Sequence, residues 1–375
     1  MVTHLISAAE RIVERKQSIS AGGERLAARR VTITDVARAA NVHASTVSRV
    51  LNGRAELSLL PETRERVIAA ATRLGYRPSA LARGLRLRRT FTLGMLVPDI
   101  TNPVFPPIIK GVEGAAHARG YHLILCNTDD SFEREASYLR VLREWRVDGI
   151  LIASSSTADS TLGELRREKV PFVLLNSASR ASDDLAVAPD NRQGVSAALD
   201  HLIQLGHRRI GLIAAPQTTM TGQERLLAAR ATLRRHHLAQ EDALVSVADS
   251  FSEASGYRAA RRLLLDGEPP TAIFGANDLI ALGAIRLARE IGLNVPRDLS
   301  VVGFNDIPQS ELFDPPLTTV HMPQEEMGVL AAALLIDHLE GRHIDRRQVV
   351  LQTQLEVRGS TATPVAATTS VMKTA

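Results

Sequence analysis

From Phe91 onward, short apolar runs alternate with segments of helical periodicity, and this alternation constrains the fold more than any other feature. The runs predict buried strands at 91–97, 121–126, 149–153, 172–175, 209–214, 243–247, 272–276 and 299–304. The segments between them predict helices near 104–119, 133–146, 190–205, 223–237, 254–266 and 278–291. Repeated strand–helix alternation is typical of parallel sheets with helices on both faces. Eight or more strands over about 270 residues favour two doubly wound α/β lobes rather than one sheet.

The segment 31–77 lacks this alternation and predicts an all-α domain of short helices. Thr32 is a candidate N-cap, and Asp35 stands three residues later, where an acidic side chain favours the first turn. Asn41 tolerates the left-handed conformation that a tight turn needs. Apolar residues recur at helical spacing on both sides of Asn41, so the pattern predicts two helices joined there. Pro61 is placed to begin a third helix.

Positive charge is concentrated at the N-terminal end of the chain. Residues 1–90 contain 17 Lys and Arg against 7 Asp and Glu, a balance of +10, whereas the other 285 residues contain 28 against 34, a balance of −6. This asymmetry indicates an end that binds a polyanion, attached to a neutral-to-acidic body. The alternative is a basic tail exposed to solvent. Residues 1–30 are polar and Arg-rich, and we expect them to be a disordered extension.

Composition and motifs disfavour several classes of protein. The single cysteine, Cys126, cannot form an internal disulfide and fits a reducing cytosol. No apolar run approaches the roughly 18 residues of a transmembrane helix, and the N-terminus lacks the apolar region of a signal peptide. The sequence has no G-x-G-x-x-G after a strand, no G-x-x-x-x-G-K-[ST] loop and no G-x-S-x-G elbow. We therefore predict a cytoplasmic protein that is not an enzyme and holds no cofactor or metal.

Two polar pairs have simple structural interpretations. His201 and His207 lack the spacing of metal ligands, and we predict that both lie at the surface. Asp129-Asp130 is typical of a turn.

An ordered set of segments resembles the LacI/GalR family of bacterial transcription regulators. VTITDVARAANVHASTVSRVLNG resembles the family's DNA-binding head, and the match continues through PETRERVIAAATRLGYRPSALARGL. Later matching segments include LGMLVPDITNPVF, GHRRIGLIA, PTAIFGANDLIALGA and DLSVVGFND, so the resemblance covers roughly 31–360. It implies a helix-turn-helix domain at 31–77, a hinge helix or linker at 78–90, and a two-lobed core at 91–360 like that of periplasmic sugar-binding proteins. It also implies a homodimer with a small effector bound between the lobes.

The second helix of a helix-turn-helix lies in the major groove, where its N-terminal residues contact base edges. Here that helix is predicted at about Ala44–Leu51, with Val47, Val50 and Leu51 facing the core and Ala44, Ser45, Ser48 and Arg49 on the opposite face. Arg49 can form two hydrogen bonds with guanine O6 and N7. By resemblance, Ala44, Ser45 and Arg49 fall at base-contacting positions. The predicted DNA-binding set is Thr34, His43, Ala44, Ser45, Thr46, Ser48, Arg49, Asn52, Leu85 and Arg86.

Two members of this set have particular interpretations. The connector around 78–87 resembles the family's hinge helix, and Leu85 matches the leucine that enters the minor groove and kinks the DNA. His43 stands where the family commonly has Ser or Thr, and histidine is a poorer N-cap. The sequence leaves open whether His43 instead contacts a phosphate or a base.

Polar and aromatic residues follow several of the predicted strands. Ligands of doubly wound folds bind at the carboxyl ends of strands. Amide and guanidinium groups there could engage sugar hydroxyls, and an aromatic ring could cover an apolar sugar face. By resemblance, the predicted effector contacts are Phe105, Asn176, Thr221, Arg225, Phe251, Asn277 and Asn305. Taken singly, a strand-end Asn is more often a cap, and Arg225 would be a surface arginine.

These features predict a repressor that binds near-palindromic double-stranded operator DNA and responds to a sugar or sugar acid. Two alternatives share the core: a periplasmic-type solute-binding protein and a sugar-modifying enzyme. The crossings between lobes are predicted near 190, 321 and 347. Residues 361–375 are expected to be a flexible tail, and because they lack a leucine heptad we predict a dimer rather than a tetramer.

Overall fold

A computed structural model of the chain describes residues 31–51, 60–76, 89–153, 159–177, 181–238 and 244–365. The chain divides into two compact units, Met1–Leu87 and Arg88–Ala375. The predicted extension at 1–30, the hinge helix at 78–87 and most of the tail lie outside the described residues.

The described residues of the N-terminal unit form three helices: α1 (Ile33–Ala40), α2 (Ala44–Leu51) and α3 (Pro61–Arg73). Thr32 and Asp35 form a capping box, in which each side chain bonds the other's backbone N–H. Asn41 ends α1 in the left-handed conformation, at φ 50°. Both predictions made from the sequence are therefore confirmed. The small core of this unit is formed by Val36, Ala37, Ala40, Val47, Val50, Val67, Ala70 and Ala71.

The second unit contains two six-stranded sheets. Its described strands are β1 (Thr92–Val97), β2 (His122–Asn127), β3 (Gly149–Ile152), β4 (Phe172–Leu175), β5 (Leu185–Pro189), β6 (Ile210–Ala214), β7 (Val245–Val247), β8 (Ala272–Gly275), β9 (Ser300–Asn305), β10 (Thr318–His321), β11 (Gln348–Leu351) and β12 (Gln354–Glu356). Its described helices are α4 (Phe105–Ala118), α5 (Phe132–Glu144), α6 (Asp159–Arg167), α7 (Asn191–Gln204), α8 (Met220–Arg235), α9 (Glu253–Leu265), α10 (Asp278–Glu290) and α11 (Gln324–Glu340), with a 3-10 turn at Ser310–Leu312.

The strand order is β11-β5-β4-β3-β1-β2 in the first lobe and β12-β10-β9-β8-β6-β7 in the second. Every pairing is parallel except that of β10 with β12, which is antiparallel. The central strands are buried, as expected for sheets covered by helices on both faces. The predicted fold class, an all-α head followed by a two-lobed doubly wound core, is confirmed.

Four strands and two helices were not predicted, and each has a weak local pattern. The strands β5 and β10–β12 are three to five residues long, and β11 and β12 are partly exposed edge strands. Helix α6 is short and mostly polar, whereas α11 is apolar around most of its circumference and therefore shows no clear helical stripe.

The chain passes between the lobes three times. It crosses at Asp190, between β5 and α7, and at residues 322–323, between β10 and α11. The third crossing was predicted near 347, but it lies at residues 352–353. The reason is that β11 still pairs with β5 of the first lobe, through Gln348–Leu351.

His207 corrects a second prediction, because it is buried rather than at the surface. Its Nδ1 lies 2.9 Å from Thr271 Oγ1, and its Nε2 lies 3.0 Å from Ser300 Oγ and 2.9 Å from the carbonyl oxygen of Ala362. The imidazole thus attaches the last described segment of the chain to the second lobe. Burial lowers the pKa of His207 and favours its neutral form.

Candidate functional site

A cleft with a volume of about 110 Å³ lies at the carboxyl ends of the strands in the second unit. Its walls come from both lobes: Phe105 begins α4 in the first lobe, and Arg225 lies in α8 of the second. The structure brings all seven predicted effector contacts to this cleft: Phe105, Asn176, Thr221, Arg225, Phe251, Asn277 and Asn305. Their role as effector contacts stays a prediction.

Arg225 is buried at the floor of the cleft, with 2% of its surface exposed. Its Nε donates to Asn191 Oδ1 at 2.9 Å, and its two terminal nitrogens donate to the Ala276 carbonyl at 2.6 Å and to Asn305 Oδ1 at 3.2 Å. The guanidinium carbon also lies 3.7 Å from the centre of the Phe304 ring. The simple interpretation of Arg225 as a surface arginine is therefore wrong. Burial lowers its pKa to about 9, which still leaves it charged at neutral pH.

Asn176 presents an acceptor that has no partner among the described residues. Its Oδ1 is buried, although the residue as a whole is only partly buried. The backbone of Asn176 is left-handed, at φ 61°, and its carbonyl accepts a hydrogen bond from Thr221 Oγ1 at 3.3 Å. A buried acceptor without a donor is costly, so this position favours a ligand that brings an O–H or N–H group.

Both polar atoms of the Asn277 side chain form hydrogen bonds within the protein. Its Oδ1 accepts the Ile280 N–H at 2.8 Å and caps α10, and its Nδ2 donates to the Phe251 carbonyl at 3.1 Å. One N–H of the amide remains for a ligand. Asn277 therefore caps a helix, as a strand-end asparagine usually does, and also lines the cleft.

Two acidic residues of the cleft were not among the predicted contacts. Asp99 follows β1, and Asp130 lies in the turn after β2, where both Asp129 and Asp130 have positive φ. The pKa of Asp130 is raised by desolvation and by the negative charges of Asp99 and Asp129. Asp99 comes soon after the end of its strand, so the strand-end rule could have identified it. No group of three or more potential metal-binding side chains occurs among the described residues.

Asp278 is completely buried beside the cleft floor. Its carboxylate accepts hydrogen bonds from the Ile307 N–H at 2.8 Å and from Thr319 Oγ1. Burial raises its pKa to about 7, while these two hydrogen bonds and the charge of Arg225 act in the opposite direction.

We expect Asp278 to make the free energy of unfolding fall as pH rises from about 4 to 7. The folded state keeps a proton that the unfolded carboxyl, with its ordinary pKa of 3.8, has released in this range. The slope is at most about 1.4 kcal/mol per pH unit. In urea titrations between pH 4 and 8, the free energy of unfolding of the wild type should therefore fall relative to that of Asp278→Asn as pH rises. Parallel curves for the two proteins would contradict the raised pKa.

In the N-terminal unit, the predicted DNA contacts differ in exposure. Thr34, His43, Ser45 and Arg49 are exposed, and Ala44 and Thr46 are half-buried. Ser48 is buried, so its predicted place on the face opposite the core is wrong. Helix α2 packs against both α1 and α3, and its buried residues are Val47, Ser48 and Val50. The remaining predicted contacts, Asn52, Leu85 and Arg86, lie outside the described residues.

His43 occupies the N-cap position of α2. Its carbonyl accepts hydrogen bonds from the N–H groups of Thr46, at 2.9 Å, and Val47, at 3.3 Å. Its Nδ1 lies 2.8 Å from Ser45 Oγ and 3.3 Å from the Ser45 backbone nitrogen. The imidazole therefore caps the helix in the way that a Ser or Asn oxygen usually does.

Both units resemble known proteins. Residues 32–79 match the bacterial regulatory proteins of the lacI family, and residues 199–361 match a periplasmic binding protein-like domain. The chain is 35% identical to the HTH-type transcriptional repressor PurR of Edwardsiella ictaluri over 333 residues, which are 88% of this chain and 97% of the relative.

Two solved structures have the same architecture. The complex of the transcriptional regulator CelR with cellobiose has 35% sequence identity and a TM-score of 0.67, with 88% of this chain and 100% of that chain covered. The lac repressor dimer bound to operator and the anti-inducer ONPF has 27% identity and a TM-score of 0.79, with 89% and 100% covered. In the described residues, no helix is long and apolar enough to cross a membrane. Sequence identity over nearly the whole length, together with the shared fold, shows that the chain belongs to the lacI family of bacterial regulatory proteins.

Proposed function

We propose that the protein is a homodimeric transcriptional repressor that binds near-palindromic operator DNA and is controlled by a neutral carbohydrate in the cleft. The observation that carries the DNA-binding role is the exposure of Ser45 and Arg49 on the second helix of a helix-turn-helix head. The relatives' names, a transcriptional repressor and an operator-bound dimer, support it. Such a protein works in the cytoplasm, where the DNA lies, and performs no catalysis.

In this proposal each protomer contacts one half-site, and α2 enters the major groove. Arg49 forms a bidentate pair with a guanine, which is the commonest specific contact of arginine with DNA. Exposed side chains such as Thr34 bond phosphates and fix the register of the head on the duplex.

We expect Arg49→Ala to reduce the preference for selected operators over random DNA by roughly 5- to 150-fold per half-site, since a bidentate pair contributes about 1–3 kcal/mol of discrimination. Operators would be selected from a randomised palindromic library with the full chain, and affinities measured at fixed salt. Arg73→Ala is the matched control, because it removes the same charge from the exposed surface of α3. Equal selectivity of Arg49→Ala and the wild type would rule out the assigned role of Arg49, and selection of no sequence at all would rule out the function.

The effector assignment rests on which hydrogen-bonding groups the cleft leaves unpaired. Asn176 Oδ1 requires a donor, whereas Arg225 and Asn277 retain N–H groups that require acceptors. A hydroxyl group supplies both. The carboxylates of Asp99 and Asp130 face the same cleft and disfavour an anion, so a neutral sugar fits better than a sugar acid. The related regulator's complex with cellobiose agrees with this choice.

A thermal-shift screen tests the effector class, because a ligand that binds only the folded state raises the apparent stability. Neutral mono- and disaccharides, the corresponding sugar acids and purine bases would be compared at equal concentrations. We expect only neutral sugars to raise the unfolding midpoint, by an amount that grows with concentration. A response confined to sugar acids or purines would overturn the carbohydrate assignment and leave the DNA-binding role intact.

Effector and DNA would be coupled through the segments that join the lobes. Arg225 bonds Asn191, the first residue after the crossing at Asp190, and it also bonds Asn305. Gln324, just after the crossing at residues 322–323, donates to the Asn305 carbonyl at 2.7 Å. A ligand that shifts Arg225 or Asn305 would displace the chain at both crossings. This displacement would change the spacing of the hinge segments in the dimer. Such coupling is reciprocal, so DNA must change effector affinity by the same factor.

A further inference from the structure

The ring of His43 and the hydroxyl of Ser45 form a contact in which the donor can be assigned. Ser45 N approaches His43 Nδ1 at 3.3 Å, and a backbone N–H can only donate. In this geometry His43 Nδ1 is the acceptor, so the ring proton lies on Nε2. A proton on Nδ1 would point at the N–H of Ser45.

This assignment also fixes the hydroxyl of Ser45. Its Oγ lies 2.8 Å from the same Nδ1, so it shares the lone pair by donating its proton. A serine hydroxyl has one proton and two acceptor lone pairs. With the proton directed at His43, only the lone pairs of Ser45 remain for another partner, and the residue is exposed on α2.

We propose that His43 holds Ser45 as a hydrogen-bond acceptor, so that Ser45 selects the amino group of an adenine or cytosine in the operator. This inference rests on the proposed function, in which Ser45 contacts a base edge. In the major groove, adenine N6 and cytosine N4 are donors, whereas guanine N7 and O6 and thymine O4 are acceptors. A serine with a free hydroxyl bonds either kind, but the Ser45 that His43 holds bonds only the donors. His43 is thus a positioning residue that determines the specificity of Ser45.

The test uses the full chain and the operator selected by the wild-type protein. Ser45→Ala first identifies the base pair that Ser45 contacts, as the position at which the preference disappears. All four base pairs are then placed there, and the ratios of their affinities are measured. We expect the wild type to prefer the base with the amino group by about fivefold, since one hydrogen bond contributes about 1 kcal/mol.

Two variants of His43 separate positioning from helix capping. In His43→Ala the Ser45 proton is free, so the preference should fall to about twofold or less while the preferences at other positions remain. In His43→Asn the side-chain Oδ1 occupies the place of Nδ1 and accepts the same two hydrogen bonds, so the preference should be retained. Affinity ratios cancel any general weakening caused by a less stable head.

Three results would overturn the inference. They are selection of guanine or thymine at the Ser45 contact, a preference in His43→Ala equal to that of the wild type, and loss of the preference in His43→Asn with the other positions unchanged. In each of them the wild type still binds a selected sequence, so the DNA-binding function survives. Failure of the wild type to select any sequence would instead rule out the proposed function.

Discussion

Replacement of Arg225 by methionine is expected to weaken binding of the stabilising sugar by at least about 100-fold while lowering the free energy of unfolding by only about 2 kcal/mol. The binding loss follows because the guanidinium donates from the cleft floor and orients Asn305 through a 3.2 Å hydrogen bond. Methionine retains a flexible apolar side chain but offers no donor. Isothermal titration with the sugar that gives the largest thermal shift measures the binding change.

The small stability change is the difference of two larger contributions. Three lost hydrogen bonds to a charged group cost roughly 5–9 kcal/mol. The pKa of Arg225, lowered from 12.5 to about 9, shows that burying the charge already costs roughly 5 kcal/mol, which the variant recovers. Arg234→Met, on the exposed side of the same helix, is the matched control and should change neither quantity. Wild-type sugar affinity in Arg225→Met would exclude Arg225 as an effector contact.

The second large effect is expected from Gly111→Ala, which should lower the thermal unfolding midpoint by about 2–10 °C. A Cβ atom on Gly111 would lie 2.1 Å from the Glu325 carbonyl oxygen, which is backbone and cannot rotate away. Gly328 makes the reciprocal contact with the Ile108 carbonyl, so helices α4 and α11 touch through their backbones. Forcing packed elements apart costs about 1–3 kcal/mol or more.

Gly114, one turn further along α4, provides an internal control. It is exposed, and nothing lies within 4 Å of the position that its Cβ would occupy. Gly114→Ala should therefore raise stability by about 0.5–1 kcal/mol, since alanine favours the helix. If both variants shifted the midpoint in the same direction, the close approach of α4 and α11 would be refuted. Because α4 begins at Phe105 in the cleft, Gly111→Ala should also weaken sugar binding.

The sequence predicted well those features whose cause is local. The capping box of Thr32 and Asp35 and the left-handed Asn41 follow from side chains within a few residues of each other. The long apolar runs predicted the central strands because a strand buried on both faces needs a continuous apolar stretch. The strand-end rule pointed to Asn176, Asn277 and Asn305, and the structure brings all three to one cleft because parallel strands end on the same side of a sheet. The other predicted contacts, such as Arg225, came from the resemblance to the family.

Features that depend on distant partners were missed or wrong. The edge strands β11 and β12 are stabilised by pairing with β5 and β10, and their own sequences are partly polar. Ser48 is buried in a head where α2 packs against two other helices. His207 is buried because the C-terminal segment returns to bond it.

By itself, the sequence determined the class of the protein: an all-α head, a parallel two-lobed core and the family to which they belong. Only the tertiary structure decided the surroundings of the polar groups: a buried Arg225 with its pKa lowered to about 9, an Asn176 acceptor with no donor among the described residues, and a contact between the Ser45 hydroxyl and His43. The physical reason is that secondary structure depends on periodicity and short-range capping. Desolvation and hydrogen-bond pairing depend instead on which groups the folded chain brings within about 3 Å of each other.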